Sequence, residues 1–320
     1  MSQRRIEAVQ PLGRGWRGAG TTLGLAILLL AAAAPGARAE ATAPHLLAEG
    51  CGQPPPAAAP AAVEVAGARR ALITVVPEDY RPEEPHALVI AFHGRTSPNR
   101  IVRRYYDLER HARTPTIFVY PEGISDPDGR YSWSDPGDSP DALRDYALFD
   151  AVLALMARSY CLDPGRIFAV GHSLGGWFAN SLGCARGDVL RAVGTLAGGI
   201  VYTRCQGAVA ALLFHNPRDR LVDFVYGLEA RDRFRAENRV QSPGGQLALG
   251  DFACRRYGDP AAVNPVVWCP HDRNRTRTGR YYPHNWPAGA GAAMMAFFDS
   301  LPGAATASAA AGLAAAAPGG

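Results

Sequence analysis

Short runs of apolar and β-branched residues, bounded by turn-forming residues, recur along the chain and predict the strands of a sheet. The runs occupy residues 71–76, 87–93, 116–120, 166–170, 191–196, 209–215 and 265–268. The first two are separated by a Pro-rich turn, as expected of neighbouring strands. The pattern therefore predicts a sheet that extends over most of the chain.

Segments with helical spacing of apolar residues lie between several of these runs. The first predicted helix has Ser139 as its N-cap, begins at Pro140 and ends near Cys161, and the others cover residues 177–184, 223–238 and 290–301. The first should pack on the sheet and return the chain to the strand at 166–170. Strands that alternate with helices indicate an α/β fold, in which a mostly parallel sheet is flanked by helices within a single domain.

The beginning of the chain has a different pattern. Arginines precede an apolar run at residues 23–34, which is too short to cross a bilayer, and Ala37, Arg38 and Ala39 follow it. We interpret residues 1–39 as a secretory signal peptide that is cut before Glu40, which leaves no stable membrane association. A membrane anchor that stays attached is the alternative.

The remaining boundaries follow from composition. Residues 40–66 are rich in Ala and Pro and predict an extended lead-in. Residues 67–302 form the predicted domain. Residues 303–320 consist mainly of Ala, Gly, Pro and Ser, lack the apolar surface needed to pack, and are predicted to be disordered.

The net positive charge of the chain comes from the predicted signal peptide. Five of the 33 basic residues and one of the 29 acidic residues precede residue 40, so that 28 of each remain in the mature chain. A formally neutral mature chain gives no indication of a nucleic-acid partner.

Six cysteines lie after residue 40, and an even number in an exported chain predicts up to three disulfides. Cys254 and Cys269 are the favoured pair, because the turn-rich segment between them could fold them together. The pairing of the other four stays open. No Cys-x-x-Cys spacing occurs, so that no metal site is predicted.

Residues 171–175, Gly-His-Ser-Leu-Gly, follow the predicted strand at 166–170 directly. Glycines two positions before and after Ser173 fit a sharp strand-to-helix turn that exposes the serine hydroxyl above the sheet. The Leu174 amide, at a helix N-terminus, would then point toward a developing oxyanion. Such a turn is the nucleophile elbow of an α/β-hydrolase, although the pentapeptide can also arise by chance in a glycine-rich chain.

The loop after the strand at 87–93 is the candidate for the second oxyanion amide. It begins His93-Gly94-Arg95-Thr96, and His-Gly allows the backbone to bend back toward the elbow. The N–H of Arg95 is the candidate donor. An ordinary strand-to-loop turn is the alternative.

An acid and then a histidine must follow the elbow in chain order. Asp219 lies just past the strand at 209–215, where a carboxylate could hold the imidazole tautomer and balance its charge, and Asp223 is the alternative. For the base we favour His284, in a Pro-bounded loop before the last helix. His271 is the alternative, but it lies close to the last strand and beside the predicted disulfide.

Aromatic residues near these positions are candidate substrate contacts. Trp133 lies in the long loop that begins at residue 121, where it could stack on a substrate ring or pack the loop onto the domain. Trp177 follows the elbow and Trp286 follows His284, and both are further candidates.

Several dispersed motifs occur in one order along residues 50–300, and together they resemble the secreted esterases that include feruloyl esterases and short-chain polyhydroxybutyrate depolymerases. The motifs are Phe92-His-Gly-Arg95, Tyr160-Cys-Leu-Asp163, Gly171-His-Ser-Leu-Gly-Gly176, His215-x-x-x-Asp219, Arg231-Asp-Arg-Phe234, Val267-Trp-Cys269 and His284-Asn-Trp-Pro287. The resemblance implies a triad of Ser173, Asp219 and His284. It also implies hydrolysis of hydroxycinnamate esters on plant cell-wall sugars, without a cofactor.

The sequence thus predicts a secreted serine carboxylesterase that acts through an acyl-enzyme on a small ester or a polysaccharide-linked ester. Polyhydroxybutyrate depolymerase and acetyl-xylan esterase activities are alternatives with the same chemistry. A non-catalytic wall-binding protein on the same fold is an alternative of a different class. The sequence predicts no particular oligomeric state.

Overall fold

A computed structural model describes residues 48–134, 144–202, 204–276 and 278–302 of the chain. The predicted signal peptide, the lead-in up to residue 47 and the predicted disordered tail lie outside these residues. Their boundaries remain predictions from the sequence.

The described residues contain twelve strands. They are β1 (Ala62–Val65), β2 (Ala68–Val75), β3 (His86–Phe92), β4 (Thr116–Pro121), β5 (Ile124–Ser125), β6 (Tyr131–Ser132), β7 (Leu162–His172), β8 (Ala192–Leu196), β9 (Ala210–His215), β10 (Gly245–Leu249), β11 (Phe252–Tyr257) and β12 (Val266–Pro270).

Five α-helices occur in the same part of the chain, together with a 3-10 turn over Glu109–His111. They are α1 (Asn99–Tyr106), α2 (Arg144–Ser159), α3 (Leu174–Ala185), α4 (Phe224–Glu237) and α5 (Ala290–Ser300). Among the residues that the structure describes, none of the helices combines the length and the apolar character that a membrane crossing requires.

Ten of these strands form one sheet in the order β1-β2-β4-β3-β7-β8-β9-β12-β11-β10. The neighbours from β4 to β12 pair in parallel, whereas β1 and β2 at one edge and β10 and β11 at the other pair antiparallel. β5 and β6 form a separate hairpin. The predicted α/β-hydrolase fold, a mostly parallel sheet flanked by helices, is confirmed.

The sheet has an apolar core on each face. In β3, Leu88 and Ile90 pack into one core, with side chains of α2, α3 and α4. The intervening Val89 packs into the other core, with side chains of α1 and α5. Successive side chains of a strand point to opposite faces, so a strand covered on both faces is apolar at every position. This explains why the central strands are visible as uninterrupted apolar runs.

The sequence missed elements at the edges of the sheet. β1 lies within the predicted lead-in, and it pairs with β2 from Ala62 to Val65, so that the sheet begins before residue 67. β10 and β11 form a hairpin at the other edge, where solvent reaches one face. Half-exposed edge strands carry polar residues at alternate positions and lack a continuous apolar run.

Three disulfides join distant parts of the described chain, and no cysteine there is free. They pair Cys51 with Cys161, Cys184 with Cys205, and Cys254 with Cys269, the pair that the sequence favours. The first fastens the segment before β1 to the start of β7 and closes a separation of 110 residues. Bonds of this kind form and persist in oxidising compartments.

Candidate active site

The elbow lies between the end of β7 at His172 and the start of α3 at Leu174. Ser173 connects them with a φ of 57° and a ψ of −126°, a backbone conformation that residues with a side chain rarely adopt. Strain of this kind costs about 1–3 kcal/mol and persists only where the surroundings enforce it. Hydrogen bonds from Ser173 N to Leu196 O (2.9 Å) and from Trp177 N to Ser173 O (2.9 Å) hold the turn.

The two glycines of the motif are required by close backbone contacts. A Cβ at Gly171 would lie 2.0 Å from the Gly175 carbonyl oxygen, and one at Gly175 would lie 2.2 Å from the Phe92 carbonyl oxygen. Real Cβ atoms do not approach backbone so closely. The first turn of α3 thus packs at Gly175 directly against the end of β3, which brings Ser173 beside the loop that follows that strand.

A continuous chain of hydrogen bonds runs from Ser173 to Asp219. The Ser173 Oγ lies 2.8 Å from Nε2 of His284, and Nδ1 of His284 lies 2.6 Å from Oδ2 of Asp219. A carboxylate oxygen only accepts, so Nδ1 carries the proton and Nε2 is free to accept the serine proton. The three residues come from positions that are far apart in the sequence and meet at the carboxyl ends of β7, β9 and β12.

The carboxylate of Asp219 is held in its charged form. Burial alone would raise its pKa, but the hydrogen bond from His284 and the backbone N–H groups of Leu221 (2.9 Å) and Val222 (3.1 Å), which donate to Oδ1, lower it overall. These backbone donors also fix the orientation of the carboxylate toward the imidazole.

The alternative acid and base lie elsewhere. Asp223 is exposed at the N-cap position of α4. His271 packs against Phe214 and Phe252, with ring centroids 6.1 Å and 5.5 Å away, and its Nδ1 accepts a hydrogen bond of 3.4 Å from the backbone N–H of Arg273. The structure brings Asp219 and His284 to Ser173.

His215, at the end of β9, supports the loop that carries Asp219. Its Nε2 donates a hydrogen bond of 2.9 Å to the carbonyl oxygen of Val222, which closes the loop around Asp219. Its ring lies against α4 at Gly227, where a Cβ would come within 2.2 Å of Nδ1. Burial lowers the pKa of His215, so the ring is neutral.

His172 contacts the backbone of the His284 loop, a contact that no motif in the sequence indicated. Its Nε2 donates to the His284 carbonyl oxygen over 2.8 Å. Burial, and then the neighbouring His284 imidazole, lower the pKa of His172 to about 3, so that it stays neutral and keeps this donor. Tyr105 holds the next part of the loop, because its hydroxyl donates to Oδ1 of Asn285 (3.2 Å) and accepts from the Trp286 N–H.

Asparagine side chains join the loops that carry Asp219 and His284. Asn216 Nδ2 donates to Oδ1 of Asn274 (2.6 Å) and to the hydroxyl of Tyr281 (2.9 Å). Asn274 Nδ2 donates in turn to the carbonyl oxygen of Asn285. Because the network is buried at Asn216 and Asn274, each of its groups needs a partner, and the two loops are fixed relative to each other.

The loop after β3 passes close to Ser173. A Cβ at Gly94 would lie 3.5 Å from the Ser173 Cβ, so the backbone reaches the nucleophile elbow. Nδ1 of His93 donates to the Gly94 carbonyl oxygen (2.7 Å), while Nε2 accepts from Gly123 N (2.9 Å). Arg95 follows, with its side chain exposed toward Asp126 (3.8 Å). Leu174 is the first residue of α3, so its N–H has no acceptor within the helix.

Trp133 and Trp286, two of the candidate substrate contacts, take part in packing within the domain. Trp133 stacks on Phe178 with ring centroids 5.5 Å apart and donates from Nε1 to the His93 carbonyl oxygen (2.8 Å). Trp286 stacks on Tyr106 at 4.0 Å. Each keeps at most 5% of its surface exposed, so both pack the loops onto the domain.

Trp177 is partly exposed on α3. Its ring lies against the backbone of Gly199, where a Cβ would come within 2.4 Å of the ring, and 5.0 Å from the ring of Tyr226 on α4. It is not among the residues that line the cleft at Ser173, and its role as a substrate contact stays a prediction from the sequence.

A cleft of about 580 Å³ opens at Ser173. One side is formed by the loop at Gly94 and Arg95, and the floor by Ser173 and His284. The rest of the lining combines the polar residues Thr96, Ser97, His172 and Asn285 with apolar and aromatic ones, which are Ile101, Val102, Tyr105, Tyr106, Leu221, Val222 and Tyr282. Within the ranges that the structure describes, no group of three or more His, Cys, Asp or Glu side chains is arranged to hold a metal ion.

Comparison with known proteins places these features in a family, although no protein-family model matches the chain. A probable feruloyl esterase C from Aspergillus clavatus is 30% identical over 262 residues, which is 79% of this chain and 89% of that protein. Feruloyl esterase D from Neurospora crassa is 27% identical over 281 residues, covering 82% of this chain and 91% of that protein.

Solved structures share the fold. The acetyl xylan esterase from Aspergillus awamori superposes with a TM-score of 0.53 at 12% identity, over 72% of this chain and 94% of its own. The Bacillus cereus carboxylesterase gives a TM-score of 0.50 at 12% identity, over 72% and 93%. Identity this low supports the fold alone. The alignments with the two feruloyl esterases cover most of the length of those proteins. The chain is thus a member of the feruloyl esterase family of α/β-hydrolases, and it is a carboxylic ester hydrolase.

Proposed function

We propose that Ser173, His284 and Asp219 are the catalytic triad of a serine esterase that hydrolyses hydroxycinnamoyl esters of plant cell-wall polysaccharides. One observation carries the proposal: the unbroken hydrogen-bond chain from the Ser173 Oγ through the His284 imidazole to the Asp219 carboxylate, with distances of 2.8 Å and 2.6 Å. This geometry suits a serine activated by a general base whose tautomer is held by a carboxylate.

In the first half of the reaction, Ser173 Oγ attacks the ester carbonyl carbon while His284 Nε2 takes the serine proton. The resulting imidazolium is stabilised by the carboxylate of Asp219, whose lowered pKa keeps it charged. When the tetrahedral intermediate collapses, the bond to the alcohol oxygen breaks and His284 returns the proton to the leaving alcohol. Ser173 then carries the acyl group as an ester.

The second half repeats these steps with water. His284 removes a proton from the water that attacks the acyl-enzyme, and returns it to Ser173 as the acid departs. In both halves the negative oxygen would be stabilised by the N–H groups of Leu174 and Arg95. The position of Leu174 at the start of α3 and the close approach of Gly94 to Ser173 support this assignment.

The substrate class is supported by the relatives, which are named feruloyl esterases, and by the lining of the cleft. A hydroxycinnamoyl group is a flat aromatic ring on a short unsaturated chain. The side chain of Ile101 and the rings of Tyr105 and Tyr282, which line the cleft, offer surfaces for such a group. A small acyl group such as acetate would leave most of a cleft of about 580 Å³ empty.

The test compares the hydrolysis of methyl ferulate, a hydroxybutyrate trimer and acetyl-xylan by the chain from Glu40 and by its Ser173→Ala variant. We expect the highest kcat/KM on methyl ferulate, and a loss of about 10⁴-fold or more in the variant. A higher kcat/KM on either other substrate would overturn the substrate assignment. Equal rates in the two proteins would remove the serine mechanism and favour the non-catalytic alternative.

We also propose that the protein acts outside the cytoplasm after removal of residues 1–39. The three disulfides support this, because such bonds are stable in oxidising compartments. N-terminal sequencing of the protein recovered from the medium or the periplasm should begin at Glu40. Recovery of the intact leader in a membrane fraction would instead support a retained anchor.

A further inference from the structure

A second cavity, of about 610 Å³, lies beside the cleft that opens at Ser173. Three residues line both of them: Leu221, Tyr282 and His284. Ser173 and Gly94 line the first cleft and do not line the second cavity. The two spaces are therefore neighbours that share walls at His284, Leu221 and Tyr282.

This arrangement matches the two halves of an ester. The acyl half stays bonded to Ser173, beside the proposed oxyanion donors, and belongs in the first cleft. The alcohol half takes its proton from Nε2 of His284 and must leave on the side of that ring. The second cavity is thus placed to receive the leaving alcohol, which in the proposed function is a sugar.

The lining of the second cavity is positively charged. Arg218 and Arg220 are exposed and line it on either side of Asp219. Among the described residues that line the cavity, Asp219 is the one acid, and its carboxylate is buried and occupied by His284 and backbone N–H groups. Nothing else in this lining offsets the two guanidinium groups, although the mature chain as a whole has equal numbers of acidic and basic residues.

The cavity also offers surfaces for sugar rings. Tyr282 is 44% exposed and Leu221 is 66% exposed, although both are large and apolar. Exposed side chains of this kind next to a site commonly mark a binding surface. A tyrosine ring can pack on the apolar face of a sugar, while guanidinium groups bind carboxylates through paired hydrogen bonds.

From these observations we propose that the second cavity is the leaving-group site and that it selects an oligosaccharide bearing a uronic acid, whose carboxylate is bound by Arg218 and Arg220. This inference rests on the proposed function, because it assumes that His284 delivers the proton to the alcohol. It adds a specificity for the alcohol half of the ester to the proposed specificity for the acyl half.

The experiment uses feruloyl esters of two oligosaccharides that differ only in one uronic acid, which is replaced by the neutral sugar in the second. The wild-type chain is compared with the Arg218→Ala/Arg220→Ala variant. The matched control is Arg100→Ala/Arg104→Ala, which removes two exposed arginines that line a separate surface cavity on α1 and not the second cavity. Hydrolysis of methyl ferulate by wild type and Ser173→Ala tests the proposed function separately.

We expect the wild type to have a lower KM for the uronic acid ester than for the neutral ester. In the Arg218/Arg220 variant, kcat/KM should fall about tenfold more on the uronic acid ester than on the neutral ester, and this extra loss should come from a higher KM. The control variant should show no such difference between the two esters. The preference of the wild type should also shrink in high salt.

Equal KM values of the wild type for the two oligosaccharide esters would overturn the inference, as would equal losses of the Arg218/Arg220 variant on both. If methyl ferulate is hydrolysed and Ser173→Ala is inactive, such a result leaves the proposed function standing. If methyl ferulate is not hydrolysed, or if Ser173→Ala retains the activity, the proposed function fails first.

Discussion

His172 donates a hydrogen bond from Nε2 to the carbonyl oxygen of His284, 2.8 Å away, and the two rings lie 4.9 Å apart. The residue before the proposed nucleophile therefore holds the backbone of the proposed base. Because a carbonyl oxygen only accepts, the proton of the neutral His172 ring is on Nε2. This contact fixes the distance between the elbow and the loop that carries His284.

We predict that His172 is a positioning residue. His172→Phe keeps a ring but removes the donor, and should lower kcat for methyl ferulate about 10- to 100-fold with little change in KM, because misplacing a base by less than 1 Å is costly. His172→Gln keeps an N–H donor and should recover part of kcat. A merely structural role would lower the unfolding midpoint of both variants and leave kcat of the folded fraction unchanged, which would contradict the prediction.

Buried histidines should make the protein less stable in acid. Burial lowers the pKa of His93 and His271 to about 4 and that of His172 to about 3. In the unfolded chain each would bind a proton near its ordinary pKa of 6.5. Between pH 6.5 and 4 the unfolded state thus binds more protons, and the free energy of unfolding should fall by about 1.4 kcal/mol per pH unit for each histidine.

Urea unfolding from pH 7 to pH 4.5 measures this slope. The His271→Gln variant isolates one contribution, because Nε2 of His271 has no hydrogen-bond partner within the described part of the chain. In this variant the free energy of unfolding should depend less steeply on pH than in the wild type, and the difference in slope should equal the contribution of one histidine. Identical slopes would contradict the assignment of His271 as a buried neutral ring.

The close contact at the elbow predicts a large cost for a single methyl group. A Cβ at Gly175 would lie 2.2 Å from the Phe92 carbonyl oxygen, so Gly175→Ala should lower the free energy of unfolding by about 2 kcal/mol or more and displace Ser173. The matched control is Gly245→Ala, where a Cβ would meet no atom within 4 Å and the effect should stay within about 0.5 kcal/mol. Similar stability of the two variants in urea would contradict this account of the motif.

Two of the three disulfides should differ in their contributions to stability. Loss of Cys51–Cys161 opens a separation of 110 residues and should cost about 4–5 kcal/mol, whereas loss of Cys254–Cys269 opens 15 residues and should cost about 3 kcal/mol. Guanidinium unfolding of the two double Cys→Ala variants measures both values. If removal of Cys254–Cys269 lowered the free energy of unfolding more than removal of Cys51–Cys161, loop-closure entropy would not be the main source of the stabilisation.

The amino-acid pattern is sufficient to predict the centre of this fold and not its edges. β3 and β7 are covered on both faces, so their apolar runs are continuous and their assignment is confirmed. α1 was missed because it is short and carries three arginines, while its apolar residues are too few to show a period. The β10–β11 hairpin was missed because its exposed positions interrupt the apolar pattern.

The candidate site also contains residues that the sequence indicates and contacts that it does not. The elbow and the order of serine, acid and histidine depend on local motifs, and they pointed to the residues that meet in the structure. The contact of His172 joins residues 112 positions apart, and no local pattern signals it. The position of Trp133 in a long loop left open whether it contacts a substrate or packs the loop onto the domain, because its stacking on Phe178 depends on tertiary packing.

The most direct test of the proposed triad is mass spectrometry of the enzyme quenched in acid during turnover of a feruloyl ester. We predict a transient adduct of one feruloyl group on the peptide that contains Ser173, and its accumulation when deacylation is slowed. The account would be contradicted by full hydrolytic activity without an adduct on that peptide at any time, together with undiminished turnover by the Ser173→Ala variant.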